Sequence, residues 1–158
     1  VITSTIVSTY SMTSVSTTHL NHMEEKKCRI VALPRIVDPR GNLTVAEAHK
    51  QLPFAIKRAY WVYDVPGGES RGGHAHKQCR EFIVALSGSF TVTIDDGKNK
   101  STFLLNHPWE GLLVETNMWR TLDDFSSGAV CLVLASDEYD EDDYIREYPD
   151  FIHYIQTL

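Results

Sequence analysis

After Cys28 every apolar run is short and stops at a turn residue. Cys28-Arg-Ile-Val-Ala-Leu meets Pro34, Asp38-Pro-Arg-Gly reads as a turn, and Leu43–Val45 begins another run before Pro53. Ile56–Tyr63 ends at Asp64-Val-Pro-Gly-Gly, Glu81–Leu86 at Ser87-Gly88, and Ser89–Ile94 at Asp95-Asp96-Gly97. Ser101–Leu105, Gly111–Val114 and Ala129–Ala135 complete the set. Short strands at such spacing predict an all-β sandwich or barrel. Only Asp140–Ile155 reads helical. Acidic residues crowd its start, where they suit the positive end of a helix dipole. Tyr144, Ile145, Tyr148, Phe151, Ile152 and Ile155 then recur at three- and four-residue steps, which predicts a short C-terminal helix packed on the outside of the sheet.

Residues 1–22 differ from the rest. Eleven of the first eighteen are Ser or Thr, and none of the twenty-two is Asp, Glu, Lys or Arg. Hydroxyls interrupt each apolar pair, so the segment lacks the continuous apolar stretch of a signal peptide. It reads as an appended or upstream-translated flexible leader, in competition with an extra β-strand, since Val, Ile, Thr and Tyr favour strands. Residues 23–158 are then one domain, and 158 residues are too few for two ordinary ones.

Charge and cysteine usage narrow the partners. Fifteen Lys and Arg against twenty-one Asp and Glu give a net charge of −6, which argues against nucleic acid or a membrane surface as partner. No apolar run approaches the roughly 20 residues that span a bilayer. Cys28, Cys79 and Cys131 stand far apart and form no C-x-x-C, so a reducing compartment is expected.

The chemistry concentrates in Arg71-Gly-Gly-His-Ala-His-Lys77. Alternate side chains of a strand share a face, so His74 and His76 point the same way, and Ala75 keeps the other face small. Two imidazoles on one inner face make either a proton-transfer site or half a metal site. Gly68, His74, His76, Glu81 and Gly88 resemble the first cupin signature, G-x5-H-x-H-x4-E-x6-G, which implies a small jelly-roll barrel of the RmlC-like class. A metal-binding cupin takes a further histidine from a second motif. Its counterpart here is Glu115-Thr-Asn-Met-Trp-Arg120, and a guanidinium donates no lone pair. The metal centre is therefore incomplete, and proton transfer without metal or other cofactor is the expectation. Glu81 reads both ways: on an unbroken strand it would face away from both histidines and could join them only through a bulge or turn.

Beyond that strand the sequence resembles the cupin-type nucleotide-sugar 3,4-ketoisomerases, the WxcM-like group acting on dTDP-4-keto-6-deoxyglucose. Matching stretches include Asp38-Pro-Arg-Gly-Asn-Leu, Pro53-Phe-Ala-Ile-Lys-Arg-Ala-Tyr60, Arg71–Lys77, Ala85-Leu-Ser-Gly-Ser, Trp119-Arg120, Leu132-Val-Leu-Ala-Ser and Tyr139-Asp-Glu-Asp-Asp-Tyr-Ile-Arg146. The resemblance implies an enzyme of deoxysugar and surface-polysaccharide biosynthesis, working in the cytoplasm as a homodimer with exchanged N-terminal strands. It assigns the catalytic base to His74, with His76 and Tyr60 as further catalytic groups and Arg71 among the binding residues. A diphosphate needs cationic partners, for which Arg71, Arg58 and Arg120 are the candidates. Trp119 lines the sugar or base pocket or is plain core. Arginine at position 40 is similar to members giving a galacto product and arginine at 120 to those giving a gluco product, so this mixed pair assigns neither. The competing functions are a metal cupin such as a dioxygenase, using His74, His76 and Glu81, and a non-catalytic sugar-binding cupin.

Overall fold

The computed structural model describes residues 28–158. The expectation for residues 1–22 lies outside the described residues. Among the described residues twelve strands run in chain order: β1 Cys28–Ala32, β2 Arg35–Ile36, β3 Leu43–Thr44, β4 Arg58–Val62, β5 Arg71–His76, β6 Glu81–Ser87, β7 Phe90–Asp95, β8 Lys100–Leu105, β9 Glu110–Val114, β10 Trp119–Asp123, β11 Val130–Ala135 and β12 Tyr144–Ile145. One helix, α1 Tyr148–Gln156, follows. Two antiparallel five-stranded sheets carry the fold, in the orders β1-β9-β6-β11-β4 and β12-β5-β10-β7-β8, and β2 and β3 form a hairpin.

The core shows how the sheets face each other. Ile83, Ala85, Leu112, Val114, Cys131 and Val133 of the first sheet pack against Phe90, Val92, Ile94, Leu105 and Leu122 of the second, with Met118 beside them. Period-two alternation along each strand generates this interior. The opposite face of the first sheet, Phe82, Val84 and Leu113, is covered by Leu33, Leu52 and Phe54. The outer face of the second carries α1, where Ala75 and Ile145 pack on Phe151. The result is the jelly-roll barrel the sequence predicts. No helix among the described residues is long and apolar enough to cross a membrane.

The C-terminal segment corrects one expectation. Asp140–Ile155 is not one helix. Asp140 caps a single 3₁₀ turn, Glu141–Asp143, by accepting the Asp142 N–H, and the chain then extends as β12 beside β5. Helix begins only at Tyr148, where Pro149 occupies the first turn and needs no N–H partner. Tyr144 and Ile145 therefore alternate as on a strand: Ile145 goes into the core under α1 while Tyr144 turns to the barrel interior. Helix α1 is anchored by the Tyr148 hydroxyl, which donates to Asp95 Oδ2 at 2.7 Å.

Candidate active site

Two glycines set the site. Along β5, Arg120 of β10 faces His74, whereas Thr121 faces Gly72, so Gly73 is the extra residue of a bulge. Gly72 has φ of 81°, and a Cβ there would meet the Arg120 carbonyl oxygen at 3.0 Å and Leu122 Cδ1 at 3.1 Å. Both the left-handed backbone and the close approach call for glycine. The bulge delivers His74 to the barrel interior. Its Nε2 is buried and has no hydrogen-bond partner. Burial, reinforced by the nearby Arg120 charge, lowers the His74 pKa to about 3, so the ring is neutral with a free lone pair at physiological pH.

Glu81 enters from the other sheet. The turn at 77–80 breaks the strand before Glu81, so the carboxylate joins the histidines instead of facing away from them. It accepts the Tyr60 hydroxyl at 2.6 Å on Oε1, lies 3.4 Å from His76 Nε2, and holds Oε2 3.7 Å from Arg120 Nη1. Burial alone would push its pKa up. The Arg120 guanidinium, His76 and Tyr60 together outweigh that and hold Glu81 well below the usual carboxylate range. Tyr60 is driven the other way, far above an ordinary phenol, by burial and then by the Glu81 charge. Arg120 is 1% exposed, and none of its three guanidinium nitrogens has a hydrogen bond.

His76 is wholly buried and does not line the cavity. Its Nδ1 sits 2.8 Å from Asp143 Oδ2. Asp143 also accepts the backbone N–H groups of Gln78 at 2.6 Å and Cys79 at 3.2 Å, which fixes the carboxylate against the end of β5.

His74 and Glu81 border a cavity of about 600 Å³. His74, Tyr60, Glu81 and Arg120 make its polar wall, and Ile83, Leu122 and Val133 its apolar one. Arg58, Arg71 and Arg146 also line it, with Tyr139 and Tyr144. Arg58 donates to the Tyr144 hydroxyl at 3.4 Å and leaves its buried Nε unpartnered. Arg146 grips Glu141 with two hydrogen bonds of 2.6 and 2.7 Å and lies 4.2 Å from the centroid of the Tyr144 ring. A cavity with a neutral base, a phenol, a buried cation and further arginines can take a proton from carbon, stabilise the resulting oxyanion and hold an anionic tail.

His74, His76 and Glu81 each offer a ligand atom, all within 4.8 Å of one another. The trio still does not fit a divalent cation. Arg120 stands beside Glu81, permanently charged and desolvated, and would repel such an ion.

Of the residues singled out from sequence, His74, Tyr60, Arg58, Arg71 and Arg120 line the cavity. Three do not. Trp119 alternates with Arg120 on β10, so with Arg120 turned inward it faces outward, against Tyr148 and Phe151 of α1. Arg40 lies in an exposed turn, its Nε 2.9 Å from Asp38. His76 sits apart from the lining, as above. Sequence reasoning missed Tyr139, Tyr144 and Arg146 as lining residues, and Asp143 as the partner of His76. The stretch Tyr139–Arg146 matched the family, but the helical reading of its acidic run hid the extended geometry that brings Tyr144 beside His76.

Residues 26–156 match the family model described as FdtA: WxcM-like, C-terminal. The chain is 45% identical over 130 residues to a TDP-4-oxo-6-deoxy-alpha-D-glucose-3,4-oxoisomerase of Aneurinibacillus thermoaerophilus, covering 82% of this chain and 94% of that one. Among solved structures it is similar to a 3,4-ketoisomerase from Helicobacter canadensis, with 40% identity, a TM-score of 0.80, and 82% and 97% of the two chains covered. It is also similar to the sugar 3,4-ketoisomerase QdtA from Thermoanaerobacterium thermosaccharolyticum in complex with TDP, with 34% identity, a TM-score of 0.82, and 85% and 98% covered. A histidine-to-asparagine variant of that enzyme is solved with TDP-4-keto-6-deoxyglucose.

Proposed function

The chain belongs to the FdtA, WxcM-like family, and we propose that it moves the keto group of a TDP-linked 4-keto-6-deoxyhexose from C4 to C3. The observation that carries this reading is the unpartnered, neutral Nε2 of His74, which shares one cavity with the Tyr60–Glu81 pair and the unsatisfied guanidinium of Arg120.

The 4-keto group acidifies the C3 hydrogen, and His74 takes that proton on Nε2. Negative charge then grows on O4 of the enediolate. Arg120 lines the cavity with Glu81 3.7 Å away and all three guanidinium nitrogens free of hydrogen bonds, so it can meet that charge in a desolvated setting. Protonated His74 returns the hydrogen to C4. Between these steps O4 must gain a proton and O3 must lose one. Tyr60 is the group positioned to mediate the exchange, because its hydroxyl is already held by Glu81. Arg58 and Arg71, with Arg146 added by the structure, supply positive charge for the diphosphate. No step needs a metal or a redox cofactor, since the substrate carbons exchange oxidation levels with each other.

In this reading the protein works on activated sugars in the cytoplasm as a homodimer with exchanged N-terminal strands, as the family resemblance implies, with neither nucleic acid nor membrane as partner. The test is incubation with TDP-4-keto-6-deoxyglucose, followed by proton NMR. A 3-keto product is expected, and the ring couplings at C4 report its galacto or gluco configuration. Unchanged substrate with fully folded protein would refute the reading.

A further inference from the structure

Four groups in series, the middle two buried, lead from the catalytic cavity to a second cleft that adjoins it at Tyr139. Tyr60 lines the cavity and donates to Glu81 at 2.6 Å. Glu81 Oε1 lies 3.4 Å from His76 Nε2, and His76 Nδ1 lies 2.8 Å from Asp143 Oδ2. Asp143 does not line that cavity. Its side chain is 12% exposed and borders a second cleft of about 450 Å³ with Lys57, Gln78, Asp137, Glu138, Tyr139 and Asp140. Both middle members are sealed, with side-chain exposures of 0% for His76 and 1% for Glu81. The longest step is just beyond an ordinary N–H···O bond of roughly 2.7–3.2 Å, and the buried Nε2 at that step has no other partner.

We propose that Asp143, His76, Glu81 and Tyr60 form a proton path through the barrel wall, which connects the sugar oxygens to water in the outer cleft. The proposal rests on the isomerase reading. A nucleotide sugar that fills the cavity displaces the water there, yet O4 has to gain a hydrogen while O3 loses one. Tyr60 cannot wait as a phenolate beside an ionised Glu81, so its proton must be replaced as it leaves. Inward, a water proton reaches Asp143, His76 accepts at Nδ1 and releases from Nε2, and Glu81 passes a proton to Tyr60 as the phenol's own goes to O4. The O3 proton departs through the same groups in the opposite order. One proton enters and one leaves, so every group returns to its starting state. Asp143 and His76 touch no substrate and act as positioning residues of this path.

The test follows single turnovers of TDP-4-keto-6-deoxyglucose by the full chain. Asp143→Asn keeps an oxygen for His76 but cannot take up a proton, whereas Asp143→Glu can. The Asn variant should lower the single-turnover rate about tenfold or more, with substrate affinity changed by less than about threefold, and the Glu variant should recover most of the rate. Formate should accelerate Asp143→Ala and leave the wild type unchanged. A wild-type rate in Asp143→Asn overturns the path, as does an Ala variant that formate does not touch. Should the variants fail to fold, the wild type in mixtures of H₂O and D₂O decides: a rate that curves with deuterium fraction supports several protons in flight, and a straight or flat line overturns it. Turnover by the wild type is the control throughout. Its absence removes the isomerase reading as well, whereas loss of the path alone leaves that reading standing.

Discussion

The two ends of the barrel interior are built on the same strands and differ completely in how their atoms are satisfied. On β6 Glu81 faces the cavity, and Ile83 and Ala85, at the next inward positions, belong to the apolar core. On β10 Arg120 is followed by Leu122, and on β4 Tyr60 by Val62. The apolar end is closed: Phe90 is fully buried and its ring stacks with Phe125 at 5.1 Å. At the polar end, buried Nε2 atoms of His74 and His76, Nε of Arg58 and all three guanidinium nitrogens of Arg120 lack hydrogen bonds. Among the described residues, Asn117 Oδ1 is the remaining buried side-chain atom in that condition. Burial without partners is costly, so one end holds the protein together while the other holds groups ready for a ligand.

Substitutions can break this division, and the largest expected effect is chemical. His74→Asn should lower kcat by on the order of 10²–10⁴ while thermal unfolding stays close to wild type, because the lost group has no structural partner at Nε2. A variant with near-normal turnover, or one that simply unfolds, would mean the polar end is structural. Phe90→Ala should act in the reverse sense, costing about 3–5 kcal/mol of stability in chemical denaturation. The protein that remains folded should keep its KM.

A smaller effect sharpens the contrast through pH. The pKa of His74 is depressed in the folded chain, from 6.5 to about 3. Below 6.5 the unfolded chain therefore binds a proton that the native one refuses. Its contribution to stability is whole above that value and is lost as pH falls towards the folded pKa. Wild-type stability should drop about 1 kcal/mol more than that of His74→Asn over the first pH unit below 6.5. Glu81 adds a further loss in more acid solution, since its folded pKa also lies below the unfolded one. Parallel stability curves for the two proteins would show that His74 is not the buried neutral ring described above.

The barrel was legible because turn residues punctuate its strands, and the inward direction of His74 and His76 because Ala75 between them must face the other way. Three places resisted. Strand β10 was not among the predicted strands, since Trp119-Arg-Thr-Leu-Asp mixes polar and apolar residues on both faces: Arg120 points inward with Leu122, and Trp119 packs outward. Residues 140–147 offered an acidic run and a helical apolar period, but pairing of Tyr144 with His76 across β5 overrode the local signal. Glu81 could be placed only once the turn at 77–80 was seen to move the chain to the other sheet. In each case a long-range contact settled what local pattern left ambiguous.

The bulge at Gly72 and Gly73 has a consequence for anyone who would redesign this protein. His74 and Arg120 sit opposite each other in register, and a Cβ at position 72 would press on the Arg120 carbonyl oxygen and Leu122 in that same stretch of wall. The glycine thus guards the backbone that carries both the base and the cation. The opposite wall, Tyr139, Tyr144 and Arg146, comes instead from the segment that also carries Asp143 and Ile145, so it is tied to His76 and to the core under α1.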